Sequence, residues 1–257
     1  MLGSTLREQL PCRYIAGVRL YPEDPMRWKG ALISPVDPVE IKNYSDDVPR
    51  NKIRCYLPSC PVCHTESSWF TRHEARPRGF YVLCDLLIQT LWCLVIRWRC
   101  PGCKKTFTQQ PPFALPRKRY SKETILDFAA SYTEQETMTY RKLVAPDGNE
   151  IFHASTNADN PIDDRILAHS TPYRWITGLG GFEEIRRCAQ DLILQQNPAS
   201  TVCRDLAALE IPARKFVTAQ RESILKRCRQ ILHLEAEFRA TFPTSIFPFL
   251  ATRCAWG

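Results

Sequence analysis

The strongest constraint on the fold of this 257-residue chain is a pair of short cysteine motifs. The first reads Cys60-Pro-Val-Cys63 and the second reads Cys100-Pro-Gly-Cys103. Each C-x-x-C pair forms a tight turn in which two sulfurs reach one ion, and two such turns complete a four-coordinate thiolate site. Four soft thiolates suit zinc better than magnesium or calcium, which prefer oxygen ligands. The motifs therefore predict one structural Zn²⁺ ion bound by Cys60, Cys63, Cys100 and Cys103.

Three other interpretations of these cysteines are open to test. Because His64 follows Cys63, the first motif also spells the C-x-x-C-H of c-type haem attachment, but this would leave the second motif unexplained. A redox C-x-x-C is expected in a βαβ pattern, which the sequence lacks. A disulfide framework is the third alternative. Twelve cysteines among 257 residues are a lower density than a small secreted scaffold has, and most of the cysteines outside the two motifs have apolar neighbours. We therefore expect reduced cysteines and a reducing compartment.

The positive charge of the chain is concentrated around the cysteine motifs. Residues 50–120 contain 13 Lys and Arg but only 3 Asp and Glu, which gives a net charge of +10. The whole chain carries +8, so the remainder carries a net −2. A basic region beside a nearly neutral remainder favours a polyanionic partner, most simply double-stranded DNA. A merely solubilising surface is the alternative.

Residues 80–96 are mostly apolar but are not predicted to cross a membrane. The segment is shorter than the roughly 20 residues that a span needs, and Asp85 and Gln89 interrupt it. It also lies between two motifs that must meet, so we interpret it as two strands joined by a bend. The N-terminus shows no uninterrupted apolar signal segment. We expect no membrane association and a cytoplasmic, nucleoid-associated location.

The pattern predicts an α+β chain of five segments. Residues 1–50 are expected to form an irregular arm, apart from short strands near 14–20 and 31–33. Residues 51–110 are expected to form a small antiparallel zinc ribbon, with a polar arm over 64–79 and strands over 80–84, 90–99 and 104–108. Proline fixes the backbone of residues 111–120, which form a stiff basic connector. Residues 121–181 and 182–257 are predicted to be helical.

The helical part contains three short amphipathic segments. Ser121 can cap a helix whose apolar residues recur at positions 125, 128, 129 and 132, and a second short helix follows around Tyr140. Residues 145–169 are polar and irregular, and form an insertion. A third helix begins near Ser170, with Pro172 in its first turn, and glycines near 178–181 end it. Its outer face carries Thr171, Tyr173, Arg174 and Thr177.

Three such helices suggest a helix-turn-helix, whose last helix enters the major groove. An ordinary small helical bundle is the alternative. In the first case Arg174 is expected to contact guanine, and Thr171 and Tyr173 a phosphate or a thymine methyl. We predict that the remaining DNA contacts are to the phosphate backbone and come from the basic residues of the ribbon and connector, namely Arg97, Arg99, Lys104, Lys105, Arg117, Lys118 and Arg119.

The C-terminal residues 182–257 are expected to contain several helices. A long helix over residues 214–238 shows apolar residues at seven-residue steps, at positions 217, 224, 231 and 238. This stripe suits packing on the rest of the chain, or a homodimer formed through residues 214–238. Scattered acids at positions 163, 164, 191 and 205 have no strand pattern that would bring them together as a two-metal site.

Several stretches resemble a known arrangement when they are taken together. They are residues 97–108, around the second cysteine motif, and residues 115–121, 139–144 and 170–176. They are similar to the N-terminal zinc ribbon and helix-turn-helix of bacterial insertion-sequence transposases and related stand-alone proteins. The similarity covers roughly residues 55–180. It implies binding to the terminal DNA of a mobile element, but the 145–169 insertion departs from the usual short turn and the catalytic nuclease domain has no counterpart.

We therefore predict a zinc-stabilised, non-enzymatic DNA-binding protein related to transposases. It would recognise transposon ends or act as a transposon-associated regulator. The alternative is an adaptor that docks a transposase or ATPase partner through the ribbon and the C-terminal helix. An enzyme is a third possibility, but no spacing in the sequence selects a catalytic set.

Overall fold

The computed structural model describes residues 38–84, 86–154, 162–215, 217–242 and 244–247, and two short strands, Tyr14–Ile15 (β1) and Val18–Arg19 (β2). Over these ranges the chain forms a mixed sheet, a separate β1–β2 pair and seven α-helices. The α+β class is confirmed at this level. The single strand expected near residues 14–20 is instead an antiparallel pair, and the strand expected at residues 31–33 lies outside the described residues.

A long β-hairpin is the central element of the sheet. Thr71–Cys84 (β3) pairs antiparallel with Leu87–Arg99 (β4), from Thr71 opposite Arg99 to Cys84 opposite Leu87. The bend expected over residues 85–89 is shorter than predicted, because β4 already begins at Leu87. The expected polar arm over residues 64–79 is wrong, because most of it belongs to β3. Its polar character reflects a wet edge strand and not the absence of a strand.

Pro77 in the middle of β3 obscures this strand in the sequence. β3 lies at the edge of the sheet, and the outward N–H of Tyr81 donates to the Arg119 carbonyl at 2.9 Å. Backbone N–H groups alternate in direction along a strand, so the nitrogen of Pro77, four residues earlier, also faces away from β4. Proline at this position removes no bond of the hairpin, and it blocks further pairing along the exposed edge.

Three short strands complete the sheet on the other side of β4. Thr106–Thr108 (β5) pairs antiparallel with its cysteine-proximal end, and Phe152–Ala154 (β6) pairs parallel with its beginning. Ile162–Ile166 (β7) pairs antiparallel with β6. The 145–169 insertion is therefore partly ordered as strands, contrary to the irregular segment that its polar sequence suggested.

A helix covers the gap between β5 and β6 along β4. Pro38–Asp47 (α1) packs against β4 with Ile41 and Tyr44 buried, and the Leu94 amide donates to Ser45 Oγ at 3.4 Å. The sequence suggested a proline-punctuated arm here. Pro38 is compatible with the helix because it lies in the first turn, where its missing N–H removes no intrahelical bond. The helix gives the otherwise open edge of β4 a partner.

Six further α-helices come after β5 in the described ranges: Lys122–Glu134 (α2), Tyr140–Val144 (α3), Ser170–Gly180 (α4), Glu183–Gln196 (α5), Thr201–Asp205 (α6) and Ala219–Thr241 (α7). Ser121 caps α2 as predicted, since its hydroxyl accepts from the Thr124 amide. The predicted inward residues of α4, which include Trp175 and Leu179, are buried. None of the helices in the described ranges has the length and apolar character needed to cross a membrane.

Helix α7 is the centre of the helical part and packs against α2, α4, α5 and α6. It begins at Ala219, after the Thr218 N-cap, and not near residue 214 as predicted. Arg214 instead lies in the preceding loop, where its guanidinium donates to the Tyr132 carbonyl in the last turn of α2 and to the Gln135 and Met138 carbonyls that follow it. An arginine that satisfies the last carbonyls of another helix replaces the missing intrahelical donors.

Helices α2, α3 and α4 contact one another, but the link from α3 to α4 runs through β6 and β7. The second and third helices are thus separated by strands that belong to the ribbon sheet. A helix-turn-helix is therefore not established by this architecture, and the three-helix bundle that was its alternative describes the packing equally well.

The β3–β4 hairpin joins two hydrophobic cores. One side of the hairpin, which we call the first face, contributes Phe80 and Val95 to a core with α1 and the cysteines of the two motifs. We call this core the ribbon core. The opposite side, or second face, contributes Ile88 near the turn to the larger helical core. Side chains alternate between faces along a strand, so near the turn Val82 enters the core with the cysteines while its neighbour Leu83 packs against the helical core.

The helical core requires a close approach of α4 to α7 at Gly180. A Cβ built on Gly180 would collide with the Ile224 carbonyl oxygen and lie 2.8 Å from Ile224 Cγ2. Gly181, which follows the helix, has φ of −87°, outside the left-handed region. The glycines predicted to end α4 are thus partly required by packing, because Gly180 allows the close contact with α7.

We expect Gly180→Ala to lower the free energy of unfolding by about 1–3 kcal/mol, because the added methyl group overpacks a backbone contact. Gly178→Ala is the matched control. A Cβ there would be 3.7 Å from Lys118 Nζ, an ordinary contact, and alanine favours a helix by up to about 1 kcal/mol. Denaturant unfolding of both variants measures the difference. Equal stabilities would contradict the proposed contact.

A buried charge network fixes α2 to α7. Lys122 Nζ lies 3.1 Å from Glu123 Oε1 and 3.7 Å from Glu235 Oε1, and all three side chains are buried. Arg239 contacts both carboxylates, at 3.0 Å and 2.7 Å. The second oxygen of Glu235 accepts the Ile246 amide at 2.9 Å, which ties the segment 244–247 to α7. Pairing of this kind satisfies charges that burial would otherwise penalise.

Asp127, one turn after Glu123 on α2, lies beside this network with Oδ1 buried and without a hydrogen-bond partner. Burial, and then the charge of Glu123, raise the pKa of Asp127 to about 7. In the unfolded chain an Asp carboxyl titrates near pH 3.9. The folded state therefore binds the extra proton, and its stability falls as pH rises from about 4 to about 7.

We expect Asp127→Asn to raise the free energy of unfolding at pH 8 by on the order of 2 kcal/mol, because no buried carboxylate has to ionise. The gain should shrink toward pH 5, where Asp127 is protonated. Urea unfolding of both proteins between pH 5 and 8 measures it. A gain that did not change with pH would show that ionisation of Asp127 is not the cause.

Candidate metal centre and basic surface

The two cysteine motifs form turns with the same hydrogen-bond pattern. In the first, the Cys60 amide donates to the Thr65 carbonyl and the His64 amide to the Cys60 carbonyl, both at 2.8 Å. In the second, the Cys100 amide donates to the Lys105 carbonyl at 2.9 Å and the Lys104 amide to the Cys100 carbonyl at 3.1 Å. The residue after each second cysteine is left-handed, with φ of 58° at His64 and 62° at Lys104. The chain thus builds the same turn twice.

The four sulfurs fit a tetrahedral ion. All four lie within 4.8 Å of one another, and the closest pairs, Cys60–Cys103 and Cys63–Cys100, are 3.4 Å apart. Zinc–sulfur bonds of about 2.3 Å imply sulfur separations of about 3.8 Å in a tetrahedral site, which falls between these limits. A disulfide needs sulfurs about 2.05 Å apart. The cysteines of the described ranges are thiols and not disulfides. The cluster could therefore bind a metal ion.

The surroundings of Cys63 favour its thiolate form. Thr65 Oγ1 lies 3.1 Å from Cys63 Sγ, and this hydrogen bond lowers the pKa of the Cys63 thiol to about 6. A Cβ at Gly102 would lie 2.8 Å from Thr65 Oγ1 and 3.1 Å from Cys63 Sγ. Gly102 thus leaves space for the threonine hydroxyl beside the sulfur. Thiolate sulfur is the form that binds zinc.

The cluster is also part of the ribbon core. Cys60 and Cys100, the first cysteine of each turn, are fully buried among the core residues, whereas Cys63 is exposed. The hairpin places the second turn directly after β4 and the first turn shortly before β3. A metal at this point would therefore fasten the open end of the hairpin.

The predicted DNA-contacting residues of the ribbon occupy two environments. Arg99, Lys104 and Lys105 are exposed around the second cysteine turn. Arg97 is half-buried, and its guanidinium lies 2.6 Å from Glu74 Oε1 and 2.5 Å from Thr106 Oγ1. Hydrogen bonds from Arg76 and then Arg97 lower the pKa of Glu74. Arg97 therefore has internal partners that a phosphate would have to displace.

The connector residues lie between the hairpin and α4. Arg117, which is left-handed with φ of 60°, and Arg119 are exposed, while Lys118 is half-buried. The Lys118 ammonium approaches the last turn of α4 at Gly178. A lysine near a helix C-terminus interacts favourably with the helix dipole. Arg119 Nη1 lies 3.5 Å from Tyr81 Oη on β3.

The predicted residues of α4 are only partly free of intramolecular contacts. Tyr173 and Arg174 are exposed, and Thr171 is half-buried. The Arg221 guanidinium from α7 lies 4.3 Å from the centre of the Tyr173 ring and donates to Thr177 Oγ1 at 2.6 Å. Thr177 was expected to point outward and instead contacts α7.

Sequence reasoning missed basic residues near this face. Arg141 and Lys142 on α3 are both exposed, and the Tyr140 ring before them packs against Tyr173, with centroids 5.5 Å apart. Their signal in the sequence was the polar pair between Tyr140 and Leu143 in a short amphipathic segment. The contribution of Arg221 could not be found, because it depends on the approach of α7.

A family model described as a domain of unknown function (DUF6431) matches residues 60–144. The match begins at the first metal-site cysteine, includes the hairpin and ends with α3. No curated protein matches the chain, and no solved structure matches it either. Residues 60–144, which include the four-cysteine cluster that could bind a metal, are thus similar to this family, and the match gives no link to transposases.

We expect Cys100→Ser to abolish retention of zinc after dialysis, because a buried ligand of the four-thiolate site is lost. Cys55→Ser is the control, because Cys55 lies near the first turn but outside the cluster. Metal analysis and near-ultraviolet circular dichroism measure binding and ribbon packing. If Cys100→Ser retained both the metal and the ribbon signal, the assignment of the site would be wrong.

Proposed function

We propose that the chain is a zinc-stabilised DNA-binding protein related to the bacterial transposases that its sequence resembles. It would recognise the ends of a mobile element or regulate that element, without a nuclease reaction of its own. The proposed partner is double-stranded DNA, and a transposase or other transposition protein is a second proposed partner. The proposed place of action is the cytoplasm, on the nucleoid.

The observation that carries this proposal is the position of basic side chains on the cysteine turns. Lys104 and Lys105 follow Cys103 directly, and Arg99 precedes Cys100, so the turn that would bind the metal also fixes their backbone. All three are exposed. Basic side chains held on a rigid support suit backbone phosphates, because less conformational freedom is lost on binding.

The helical part offers a second basic surface in support of the same partner. Arg141 and Lys142 on α3 and Arg174 on α4 are exposed, and the contact of Tyr140 with Tyr173 joins these two helices. We propose that Arg141 and Lys142 contact phosphates, that Arg174 contacts guanine, and that Thr171 and Tyr173 contact a phosphate or a thymine methyl, as the sequence predicts. Support from both ribbon and helices would give the protein a DNA contact longer than either part alone.

The absence of a nuclease reaction is part of the proposal. Asp164 belongs to β7, Asp191 to α5 and Asp205 to the end of α6, so these acids come from separate elements. In the described ranges, the residues grouped closely enough to hold a metal are the four cysteines. A four-thiolate site has no open position for substrate and is typical of structural zinc.

The adaptor alternative has weaker support from the C-terminal helix. Ile231 and Phe238, two of the residues in its seven-residue stripe, are buried against the same chain. A homodimer or partner that used this stripe would have to displace internal packing. The ribbon half of the alternative keeps its support, since Val62 and Trp69 near the first turn are exposed apolar residues.

The test is the affinity for duplex DNA over a salt series. We expect binding to weaken steeply with salt, because bound phosphates release counterions, and to be lost after zinc removal. Lys104→Ala combined with Lys105→Ala should reduce the slope of log K against log salt by about 2, since each phosphate contact contributes about 0.9. Fluorescence anisotropy with a labelled duplex measures these quantities.

The matched control combines Lys42→Ala and Lys215→Ala, which removes the same charge from two exposed positions outside the ribbon. It should leave the salt slope unchanged. Binding that was weak and independent of zinc would contradict the proposal and favour the adaptor. An equal loss in both double variants would show that only net charge matters.

A further inference from the structure

The second face of the hairpin is covered at both ends and open in the middle. Toward the turn, Ile88 is buried in the helical core, and toward the cysteines, Ile96 is buried in the ribbon core. Between them lie Thr90, which is exposed, and Trp92, which has 68% of its surface accessible. A tryptophan this exposed is unusual in the middle of a central strand, because its ring is a large apolar surface.

The position opposite Trp92 is a glycine. Gly79 pairs directly with Trp92 across the hairpin, and a Cβ built on it would be 3.9 Å from both Cε2 and Cε3 of the indole. The same Cβ would come within 3.0 Å of the Thr90 methyl group. Because Gly79 has no side chain, the indole rests beside bare backbone and no cross-strand neighbour covers it. Its remaining surface is available to a flat partner.

The charge around this opening favours an anionic partner. Among the paired residues of β3 and β4, none on the second face is acidic, and the region 50–120 carries a net +10. Arg119 is exposed, and its guanidinium approaches Tyr81 Oη, on the same face next to Thr90. An exposed aromatic ring beside an arginine is the combination with which proteins bind single-stranded nucleic acid. The ring stacks on a base and the cation contacts the backbone.

We infer that Trp92 stacks on an unpaired base of DNA, with Arg119 placed for the adjoining phosphate. The ligand would then be DNA with a single-stranded portion, such as a frayed or flipped-out end. This inference rests on the proposed DNA-binding function and narrows the kind of DNA bound. Stacking recognises the flat face that every base presents, so it would add affinity without selecting a sequence.

The test compares Trp92→Ala with Trp69→Ala in the full, zinc-loaded chain. Trp69 has the same exposure, 68%, but precedes β3 beside the first cysteine turn. We expect Trp92→Ala to weaken binding to a short single-stranded DNA by about tenfold, because stacking on one base is lost. Binding to the matching blunt duplex should stay within about twofold, and Trp92→Phe should restore most of the loss.

An oligomer of abasic sugar phosphates distinguishes bases from backbone. It should bind the unaltered chain and Trp92→Ala equally. The inference is overturned if Trp92→Ala binds single strands normally, or if it loses the same affinity for single strands, duplex and abasic oligomer. It is also overturned if the variant alters only self-association in sedimentation experiments, which would make Trp92 a protein contact. In these cases salt- and zinc-dependent duplex binding would still support the proposed function, whereas failure to bind any DNA would end both.

Discussion

The register between β3 and β4 is the constraint on which the rest of the structure depends. It sets Thr71 opposite Arg99, so that the segments before β3 and after β4 leave the same end of the hairpin. The two cysteine turns follow from this placement, and their four sulfurs come within 4.8 Å. A slip of one residue would exchange the two faces of the hairpin. Phe80 and Tyr81 would then enter the wrong cores.

The hairpin also connects the cysteine cluster to the helices. Its first face packs with α1 and the buried cysteines, while residues near its turn enter the core that α7 organises. The Tyr81 amide donates to the Arg119 carbonyl, and the Tyr81 carbonyl accepts from the Ser121 amide. Ser121 in turn caps α2. The end of the connector is thus hydrogen-bonded to β3 at the point where α2 begins. A partner that bound both the ribbon and the helices would contact two surfaces held in a defined relative position.

The functional proposal rests on two kinds of observation: the geometry of the cysteine cluster and the distribution of basic residues. The cysteine cluster follows from geometry, since sulfur separations, repeated turns and the space at Gly102 all fit a bound ion. DNA binding is proposed from the distribution of charge and from the exposure of Lys104, Lys105 and Arg174. The structure changes which basic residues are available to a partner. Arg97 is hydrogen-bonded to Glu74 and Thr106, whereas Arg141 and Lys142 are exposed. Strands of the sheet also separate the second and third helices, which therefore do not follow one another as in a simple helix-turn-helix.

The sequence by itself determined the features that depend on local chemistry. The C-x-x-C motifs identified the cysteine cluster, Ser121 identified the start of α2, and the apolar spacing of α4 identified its buried residues. Features that depend on distant neighbours were decided only by the tertiary structure. Residues 71–79 form a strand because β4 supplies the partners, and Pro77 is accepted because that strand is an edge. Gly180 is required because α7 packs there, and Arg214 leaves the predicted helix because the carbonyls at the end of α2 bind it. Each of these outcomes depends on a group that is distant in sequence, and a local sequence pattern does not indicate which distant group will be in contact.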